Sequence, residues 1–487
     1  MVNYIGILYF SNKEYITYKH NIIGKKFTPF FKQVKSFVVK TKKILEKKDM
    51  YVKVHDNVVS KYIGYVGDLN IEKVVIEELA MCNWTLRVNK LFHNLYLYDN
   101  VIDRIDLTDR EIYSIDPKGS IDIDDAIHYK KLDNMEEIGI HIADPTSYID
   151  YNSLIDIELS KRCESVYTTD KTYHMIDETF MINNLSLIEG NIRRACTLLI
   201  YIQNNSVTSY KFIRSKIKVT KNLTYEDNIP SYLSTYSKLL AQFYKINYYE
   251  PEFDSHKMVE LYMIVTNHLA ALEIYKKNGL IRVQESPFGN GQSLALLHGQ
   301  SDTNLKKLYN QYLSYKAQYK YATDNEYQAH FTLGLSVYTH FTSPIRRYAD
   351  IIVHRQLYSD MNVKPSCAIL NTMKTYYKSI KNYETLLDIM NIIPNSYIDE
   401  IGIIIYIKEE YCGVYIEKFN KTFIIKVIHK ILKQSVNIKY YENKIIINNI
   451  PFNGNECVRE INLFDKLQFR ICKNIYNINK VKLYILL

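Results

Sequence analysis

The sequence predicts a multidomain α+β protein, with a central mixed α/β domain over residues 106–395 and small β-barrels on either side, over 1–105 and 396–487. Three observations predict it. A chain of 487 residues is too long for one ordinary domain. Its composition, 47% hydrophobic and 24% charged, is globular and supplies enough apolar material for a sizeable core. The two ends of the chain consist of short aromatic and β-branched runs, whereas the middle alternates strand-like with helix-like periods.

Residues 1–105 read mostly as strands. Tyr4–Tyr9, Tyr15–Tyr18, Tyr51–Val54 and Lys61–Val66 are short aromatic or β-branched runs, and Glu72–Glu78 has the same character. The pattern fits one antiparallel barrel of the OB type together with a reduced second one. Lys25 to Lys48 is rich in lysine, with Phe27, Phe30, Phe31 and Phe37 interleaved. Such a mixture binds single-stranded nucleic acid by phosphate contact and base stacking. A helix or strand with a solvated lysine face and a phenylalanine core face is the plainer reading of the same residues.

The central domain opens on the densest chemistry in the chain. Asp116, Asp122, Asp124 and Asp125 crowd into one short stretch. Residues 120–124 alternate polar and apolar, the period of a half-buried strand, so that Asp122 and Asp124 share one face and Ile121 and Ile123 the other. Pro117 and Gly119 make a turn that returns Asp116 towards the acidic face. Like charges this close raise one another's pKa values. A divalent cation relieves them, and an all-carboxylate set suits Mg²⁺ or Mn²⁺ rather than zinc. A solvated acidic turn is the plainer alternative. An EF-hand loop is excluded, because Ile127 stands where its glycine is required.

The elements that follow are read in order. Glu137–Ala143 is a strand ending in Asp144-Pro145, where His141 and Asp144 either support a metal site or simply close the strand. Leu154 to Ser165 is helical, and Tyr167 just beyond it is a candidate stacking residue. Arg193 and Arg194 precede the strand Cys196–Gln203. A further strand, Tyr210–Val219, carries Lys211, Arg214, Lys216 and Lys218 on a face that lines a channel or meets solvent. His256 to Asn278 is a long amphipathic helix bearing Glu260 and stopped by Gly279. Ser286 to Asp302, with Gly289-Asn290-Gly291, is a loop that lacks the lysine of a phosphate-binding P-loop.

The second informative stretch is His340-Phe341-Thr342-Ser343-Pro344-Ile345-Arg346-Arg347-Tyr348-Ala349-Asp350. Ser343 suits an N-cap and Pro344 a first helical residue, with Ile345, Ala349, Ile352, Val353 and Leu357 as the buried stripe. Arg346 and Arg347 then fall in the first turn, where the helix dipole disfavours cations. A phosphate docked on the helix N-terminus accounts for both. An Arg346–Asp350 pair, worth about 0.2–0.5 kcal/mol, is the competing explanation. After a linker, Asn391–Asp399, the remainder reads as strands: Ile401–Ile407, Gly413–Glu417, Thr422–Val427, Lys444–Asn449, Lys466–Cys472 and Val481–Leu486.

Charge and cysteine usage narrow the function classes. A formal net charge of +9 permits a polyanionic partner. The seven cysteines are scattered with no zinc-ligand spacing, which argues against a structural zinc site and for a reducing compartment. No apolar run is long enough to span a membrane, and Met1 to Tyr9 lacks the basic region and cleavage site of a signal peptide. A soluble cytoplasmic protein is expected. The 45 tyrosines beside a single tryptophan look like the product of an AT-rich coding sequence.

Asp-x5-Asp-x-Asp-Asp at 116–125, His141-Ile142-Ala143-Asp144, Ser165-Val166-Tyr167 and the stretch from His340 to Asp350 resemble, in colinear order, the RNB domain. That is the catalytic domain of the RNase II and RNase R exoribonucleases and of the exosome's RNase-II-like nuclease. Leu223-Thr224-Tyr225 and Met258-Val259-Glu260 are similar to further family segments, and Gly413–Glu417 to a strand of the C-terminal RNA-binding barrel. The resemblance implies a Mg²⁺-dependent hydrolase, with Mn²⁺ as a substitute. It would degrade single-stranded RNA processively from the 3′ end to nucleoside 5′-monophosphates, as a monomer without membrane attachment. It implies that Asp116, Asp122, Asp124 and Asp125 build the metal site, and that loss of Asp124 abolishes chemistry but leaves RNA binding. Arg346 would contact the scissile phosphate. Tyr167, Tyr225, Glu260 and Arg347 would hold the substrate, the tyrosines by stacking. The alternative is a catalytically inactive RNB-like protein that binds RNA or scaffolds a complex.

Overall fold

Five strands near the start of the chain close on themselves. In the computed structural model, β1 (Asn3–Leu8), β2 (Ile16–Tyr18), β3 (Ile22–Pro29), β4 (Phe37–Lys42), β5 (Met50–His55) and β6 (Val58–Tyr65) form a sheet in the order β1-β5-β6-β4-β3-β2. β1 also pairs with β3, which completes a ring and leaves β2 outside it. β4 and β6 meet in parallel, and the other pairs are antiparallel. Asp56 and Asn57 turn β5 into β6 with φ of 46° and 62°, the left-handed pair that a two-residue hairpin needs and that these side chains tolerate. Leu8, Phe27, Val39, Val52 and Val54 fill the interior, with Phe37 packed against them. Phe27 and Phe37 are therefore core residues, while Phe30 and Phe31 lie outside the described residues.

The structure describes residues 3–9, 16–18, 22–29, 36–42, 48–66, 68–81, 84–85, 89–93, 95, 104–247, 253–285, 317–323, 328–358, 363–393, 397–408, 411–426, 437–440, 444–452, 455–462, 464–472 and 482–486. The loop expected from Ser286 to Asp302 falls outside them. The chain divides into two units. One comprises Met1–Cys82, Pro287–Tyr309 and Tyr376–Leu487, and the other Asn83–Ser286 and Asn310–Thr375.

Glu72–Glu78 is not a strand. It belongs to α1 (Leu69–Ala80), whose N-cap Asp68 accepts the Asn70 amide. The buried positions Glu72, Val75, Ile76, Leu79 and Ala80 recur at helical spacing, and this packing outweighs the β-preference of Val74-Val75-Ile76. Hydroxyls of Tyr51 and Tyr383 satisfy the buried Glu72 carboxylate.

The second unit is built on a seven-stranded sheet. β7 (Ile105–Asp106), β8 (Ile112–Asp116), β9 (Asp125–Lys131) and β10 (Glu136–Ala143) lead to α2 (Leu154–Arg162) and to a small hairpin of β11 (Val166–Tyr167) and β12 (Thr172–Tyr173). β13 (Ile192–Gln203), β14 (Ser206–Lys218) and β15 (Lys221–Thr224) complete the order β15-β8-β9-β10-β13-β14-β7. The two edge strands run parallel to their neighbours. Arg193 and Arg194 lie within β13 rather than before it. α2 stops at Arg162, short of Ser165, because Cys163 turns left-handed at φ 62°. Asn204 and Asn205, both at positive φ, join β13 to β14.

A row of buried polar groups crosses this sheet. Gly139 on β10 stands opposite His128 on β9. The His128 ring lies over that glycine and reaches both of its same-face neighbours, Glu137 Oε1 at 3.2 Å and His141 Nε2 at 2.8 Å. His141 continues to Thr197 Oγ1 at 2.8 Å, and Thr197 to Ser215 Oγ at 2.6 Å. A Cβ on residue 139 would sit 2.0 Å from His128 Cε1. Gly139→Ala is therefore expected to lower stability by about 1–3 kcal/mol through overpacking. Chemical denaturation measures this, and an unchanged midpoint would refute the role of the glycine.

α3 (Ser231–Phe243) and α4 (Ser255–Tyr275) follow, the latter started by Asp254, which accepts the Lys257 amide. β16 (Leu280–Val283) pairs with β17 (Gln318–Tyr321), and α5 (Tyr348–Tyr358) comes next. α6 (Cys367–Ile392) crosses from this unit into the other at Thr375–Tyr376. Asn391 thus belongs to a helix and Asp399 to the next strand, so the expected linker shortens to the few residues between them.

Beyond α6, β18 (Tyr397–Lys408), β19 (Tyr411–Ile416), β20 (Lys421–Lys426), β21 (Asn437–Tyr440), β22 (Lys444–Phe452), β23 (Asn455–Asn462), β24 (Lys466–Cys472) and β25 (Lys482–Leu486) form two antiparallel sheets, β20-β19-β18-β24-β25 and β21-β22-β23. Ile404, Val414 and Phe469 of the first share one core with Ile445 and Ile461 of the second and with Ile389 of α6. β21 and β23 have no counterpart among the expected strands. Among the described residues no helix is long and apolar enough to cross a membrane.

Candidate active site

The register of the central sheet gathers the acidic stretch and Tyr225 at one end. Asp116 is the last residue of β8 and Asp125 the first of β9. β15 runs parallel to β8 with Thr224 opposite Asp116, so Tyr225 emerges beside it. Between β8 and β9 the chain turns at Pro117–Ser120, where the Ser120 amide donates to the Pro117 carbonyl at 3.1 Å and Gly119 adopts φ 85°.

Residues 120–124 are extended but do not join the sheet, contrary to the strand their alternation suggests. Their backbone is taken up by other partners. The Ile123 amide donates to Ser186 Oγ, the Ile123 carbonyl accepts the Leu187 amide, and the Asp124 carbonyl accepts the Ala143 amide. Burial accordingly does not alternate: Ile123 and Asp124 are both buried, while Ile121 and Asp122 are both partly exposed.

Asp124 is 4% exposed. Its Oδ1 accepts the Ile345 amide at 2.8 Å. Its Oδ2 lies 3.3 Å from Arg346 Nε, close enough for an ion pair, but is buried without a hydrogen bond. Asp116 Oδ2 is likewise buried and unpartnered. Asp122 accepts the Tyr167 hydroxyl. Burial pushes the Asp116 carboxyl up to about 6, with the Asp122 charge adding to it and Ser114 and Arg346 opposing. Burial pushes Asp125 to about 8, reinforced by Asp116 and opposed by Arg346 and Arg347. Asp124 is raised well above the carboxylate range by the same desolvation, against the pull of Arg346.

Arg346 and Arg347 precede α5 rather than opening it, because the helix begins at Tyr348. Residues 344–347 form a turn in which the Arg346 and Arg347 amides both donate to the Ser343 carbonyl. That turn is held on several sides. Asn267 Oδ1 accepts the Phe341 amide at 2.7 Å, while its Nδ2 donates to Tyr338 and Thr342. His354 Nε2 meets the Phe341 carbonyl at 2.8 Å. Asp350 Oδ1 accepts the Ser343 amide, and the Asp350 carboxylate receives two bonds from Arg347, at 2.8 and 2.7 Å. The competing Arg346–Asp350 pair does not form: Asp350 pairs with Arg347, and Arg346 is left to face Asp124. Its side chain is 43% exposed, steadied by Nη2 donating to Ser343 Oγ at 2.9 Å. Backbone bonds from Ser165 to Arg346 and from Tyr348 to Cys163 bring the chain leading to Tyr167 alongside.

Of the sequence-predicted residues, Asp116, Asp122, Asp124, Asp125, Arg346, Tyr167 and Tyr225 come together. Tyr167 is 41% exposed on its hairpin, and burial followed by the Asp122 charge raises its hydroxyl pKa. Tyr225 stacks on His256 at 3.6 Å, and burial, Asp116 and Asp125 push its hydroxyl up to about 12. Arg347 is turned towards Asp350. Glu260 is half-exposed on α4 and pairs with Lys257 at 2.5 Å. His141 belongs to the polar row across the sheet. Asp144 is bound by Arg104, Thr146 and Ser147. Asn267, His354 and Asp350 were not anticipated in their anchoring roles. A polar residue within an otherwise apolar helical stripe, as Asn267 is on α4, was the available signal.

Among the described residues, the one group of three metal-capable side chains with ligand atoms within 4.8 Å of one another is Asp144, Cys196 and His354. Arg104 already supplies the positive charge there. The acidic stretch is less tightly gathered, but it is the set with all-oxygen donors and two orphaned oxygens.

The RNB domain family model matches residues 104–237 and 228–361, together just over half of the chain. The chain is 28% identical over 384 residues to Ribonuclease R 2 of Lactococcus lactis subsp. lactis (strain IL1403), an alignment covering 63% of this chain and 57% of that protein. It therefore spans little more than half the length of this relative. Among solved structures it is similar to Mycoplasma genitalium RNase R in complex with ribose methylated single-stranded RNA, with a TM-score of 0.72 at 17% identity, over 100% of this chain and 90% of that one. It is also similar to yeast Ssd1, a pseudonuclease, with a TM-score of 0.65 at 18% identity, over 92% and 68%. At these identities the likeness is one of fold.

Proposed function

Because the chain belongs to the RNB-domain family, we propose that it is a 3′→5′ exoribonuclease that hydrolyses single-stranded RNA processively to nucleoside 5′-monophosphates, with Mg²⁺ or Mn²⁺ as cofactor. The observation that carries this reading is the pair of buried oxygens without a hydrogen bond, Asp116 Oδ2 and Asp124 Oδ2, the second 3.3 Å from Arg346 Nε and the first in the field of the same arginine. Several buried carboxylates sharing a single arginine, two of their oxygens without a hydrogen bond, are costly, and these donors suit a hard cation. Asp116, Asp122, Asp124 and Asp125 would hold it. A bound divalent ion lowers the pKa of its water and offsets charge on the phosphoryl oxygens.

The chain's own groups supply the rest. Arg346 has an exposed guanidinium beside the carboxylates and can donate to the scissile phosphate as its charge grows. The ring of Tyr167, anchored through its hydroxyl to Asp122, offers a face on which a terminal base can stack. Tyr225 offers a second, backed by His256. Stacking discriminates little among bases, which suits a degrader without sequence preference. We read Arg347 as a brace for the loop that carries Arg346, and Glu260 as a helper at the substrate's edge. The domains we propose are 1–105, 106–395 and 396–487, with the closed N-terminal ring and the C-terminal sheets acting as OB-type supports for the RNA strand.

Raised carboxyl pKa values have a consequence for stability. The folded protein retains protons on Asp116 and Asp125 that the unfolded chain releases near pH 4. Without metal, stability therefore falls as pH rises from about 4 through 6 to 8. The melting temperature in EDTA is expected to drop by roughly 5 °C between pH 5 and pH 8.5, and Mg²⁺ to remove most of that drop. A flat profile in EDTA would contradict the electrostatic account of the site.

The likeness to the pseudonuclease Ssd1 favours a second reading, RNA binding without cleavage. The presence of all four aspartates and Arg346 weighs against it. Incubating the protein with 3′-labelled and with 5′-labelled single-stranded RNA, with Mg²⁺ and with EDTA, separates the two. Immediate Mg²⁺-dependent release of the 3′ label as mononucleotide supports the exoribonuclease. Retention of intact, bound RNA with every divalent metal tried supports the second reading.

A further inference from the structure

Next to the loop that carries Arg346 lies a buried cation that makes no ion pair among the described residues. Arg282 on β16 is 5% exposed. Its Nη1 is buried without a hydrogen-bond partner, and its guanidinium lies over the Tyr319 ring at 5.2 Å. An aromatic face attracts a cation but cannot accept the in-plane hydrogen bonds of a guanidinium. His330 nearby is 8% exposed, and its Nδ1 is also unpartnered. Among the described residues, the acids facing this region are Asp350 and Glu164. Asp350 is taken by Arg347 through two hydrogen bonds. Glu164, partly exposed, makes no ion pair among the described residues and stands in the field of Lys374, Arg347, Arg282 and Arg346 together. Its backbone pairs with Arg347, so the region is continuous with the Arg346 loop.

A buried guanidinium lacking an anion is destabilising, and such an arrangement persists where the anion arrives with a ligand. We propose that Arg282, assisted by His330, binds a phosphodiester of the RNA strand next to the one held at Arg346. The proposal rests on the exoribonuclease reading and extends it by a second phosphate subsite. Arg282 presents unused donors to a neighbouring linkage and touches none of the reacting atoms. It is thus a positioning residue that fixes how far the strand enters.

The test uses the full chain in EDTA, where nothing is cut, and short single-stranded RNAs carrying one neutral methylphosphonate linkage at each position in turn. In the wild type, affinity is expected to fall about tenfold at two neighbouring linkages, since each loses a charge-assisted contact. In Arg282→Met one of the two dips vanishes and the other remains. The variant, without RNA, melts at a higher temperature than the wild type because a buried unpaired charge has been removed. If both dips persist in Arg282→Met, or if it melts lower with an unchanged linkage profile, Arg282 is a structural residue and the proposal is wrong. Stabilisation of the wild type by inorganic phosphate, lost in Arg282→Met while the linkage profile is unchanged, would assign the site to free phosphate and also overturn it. A wild type that binds no RNA in any form would remove the exoribonuclease reading itself, a result distinct from all of these.

Discussion

Asp124→Asn is expected to abolish nucleotide release, lowering single-turnover cleavage by about 10³-fold or more while leaving RNA affinity within a few fold of the wild type. The reason lies in what asparagine keeps and what it removes. Its amide oxygen can still accept the Ile345 amide that Asp124 Oδ1 holds at 2.8 Å, so the loop carrying Arg346 stays in place. The carboxylate oxygen Oδ2, which is buried without a hydrogen bond and 3.3 Å from Arg346 Nε, is gone, and with it a cation ligand. Without metal the variant should also be more stable than the wild type, because burial already holds the Asp124 carboxyl well above its usual range. A rise in melting temperature in EDTA, together with loss of cleavage, separates a missing catalytic charge from a damaged fold. A variant that cleaves at the wild-type rate would sink the assignment.

Arg346→Ala is expected to lower cleavage about 10²–10³-fold, near 2.7–4 kcal/mol of transition-state stabilisation, the size typical of one donor aimed at developing charge. It also removes the cation that opposes the raised pKa values of Asp116, Asp124 and Asp125. The three carboxyls should then ionise at higher pH, and the rise of residual activity with pH should shift upward. Arg346→Lys is expected to recover the pH profile better than the rate, because an ammonium restores charge without the planar fork. Single-turnover rates across pH 6 to 9 with saturating Mg²⁺ make the comparison. Equal rates for the alanine variant and the wild type would show that the side chain bears no part of the chemistry.

Much of the candidate site was legible in one dimension. The four aspartates lie so close in sequence that any fold must keep them near one another. Arg346 and Arg347, read as the first turn of a helix, marked a place with unusual electrostatics. The helix start was misplaced: both the first-turn placement of the arginines and the competing i,i+4 pair presume a helix that begins at Pro344. The chain instead makes a turn whose amides point at the Ser343 carbonyl, and the helix waits until Tyr348. The strand expected at 120–124 failed for a related reason. Period-two alternation describes an extended backbone, but Ser186 and Leu187 claim the amide and carbonyl of Ile123 that a sheet neighbour would have used. α1 shows the converse, where an N-cap and helical burial prevailed over β-branched residues.

By itself the sequence determined the mixed α/β centre, the strand-rich ends, the acidic cluster and the adjacent arginines, since all of these rest on residues near in the chain. Only the tertiary structure decided which groups face each other across long separations: Ile345 on Asp124, Asn267 under Phe341, Tyr225 beside Asp116, and Arg282 with its Nη1 buried and without a hydrogen bond. Periodicity states which side of an element is buried and is silent about what lies opposite. Burial and partner choice, which set the charge of Asp116, Asp124 and Asp125, exist only once distant segments have excluded water from the same place.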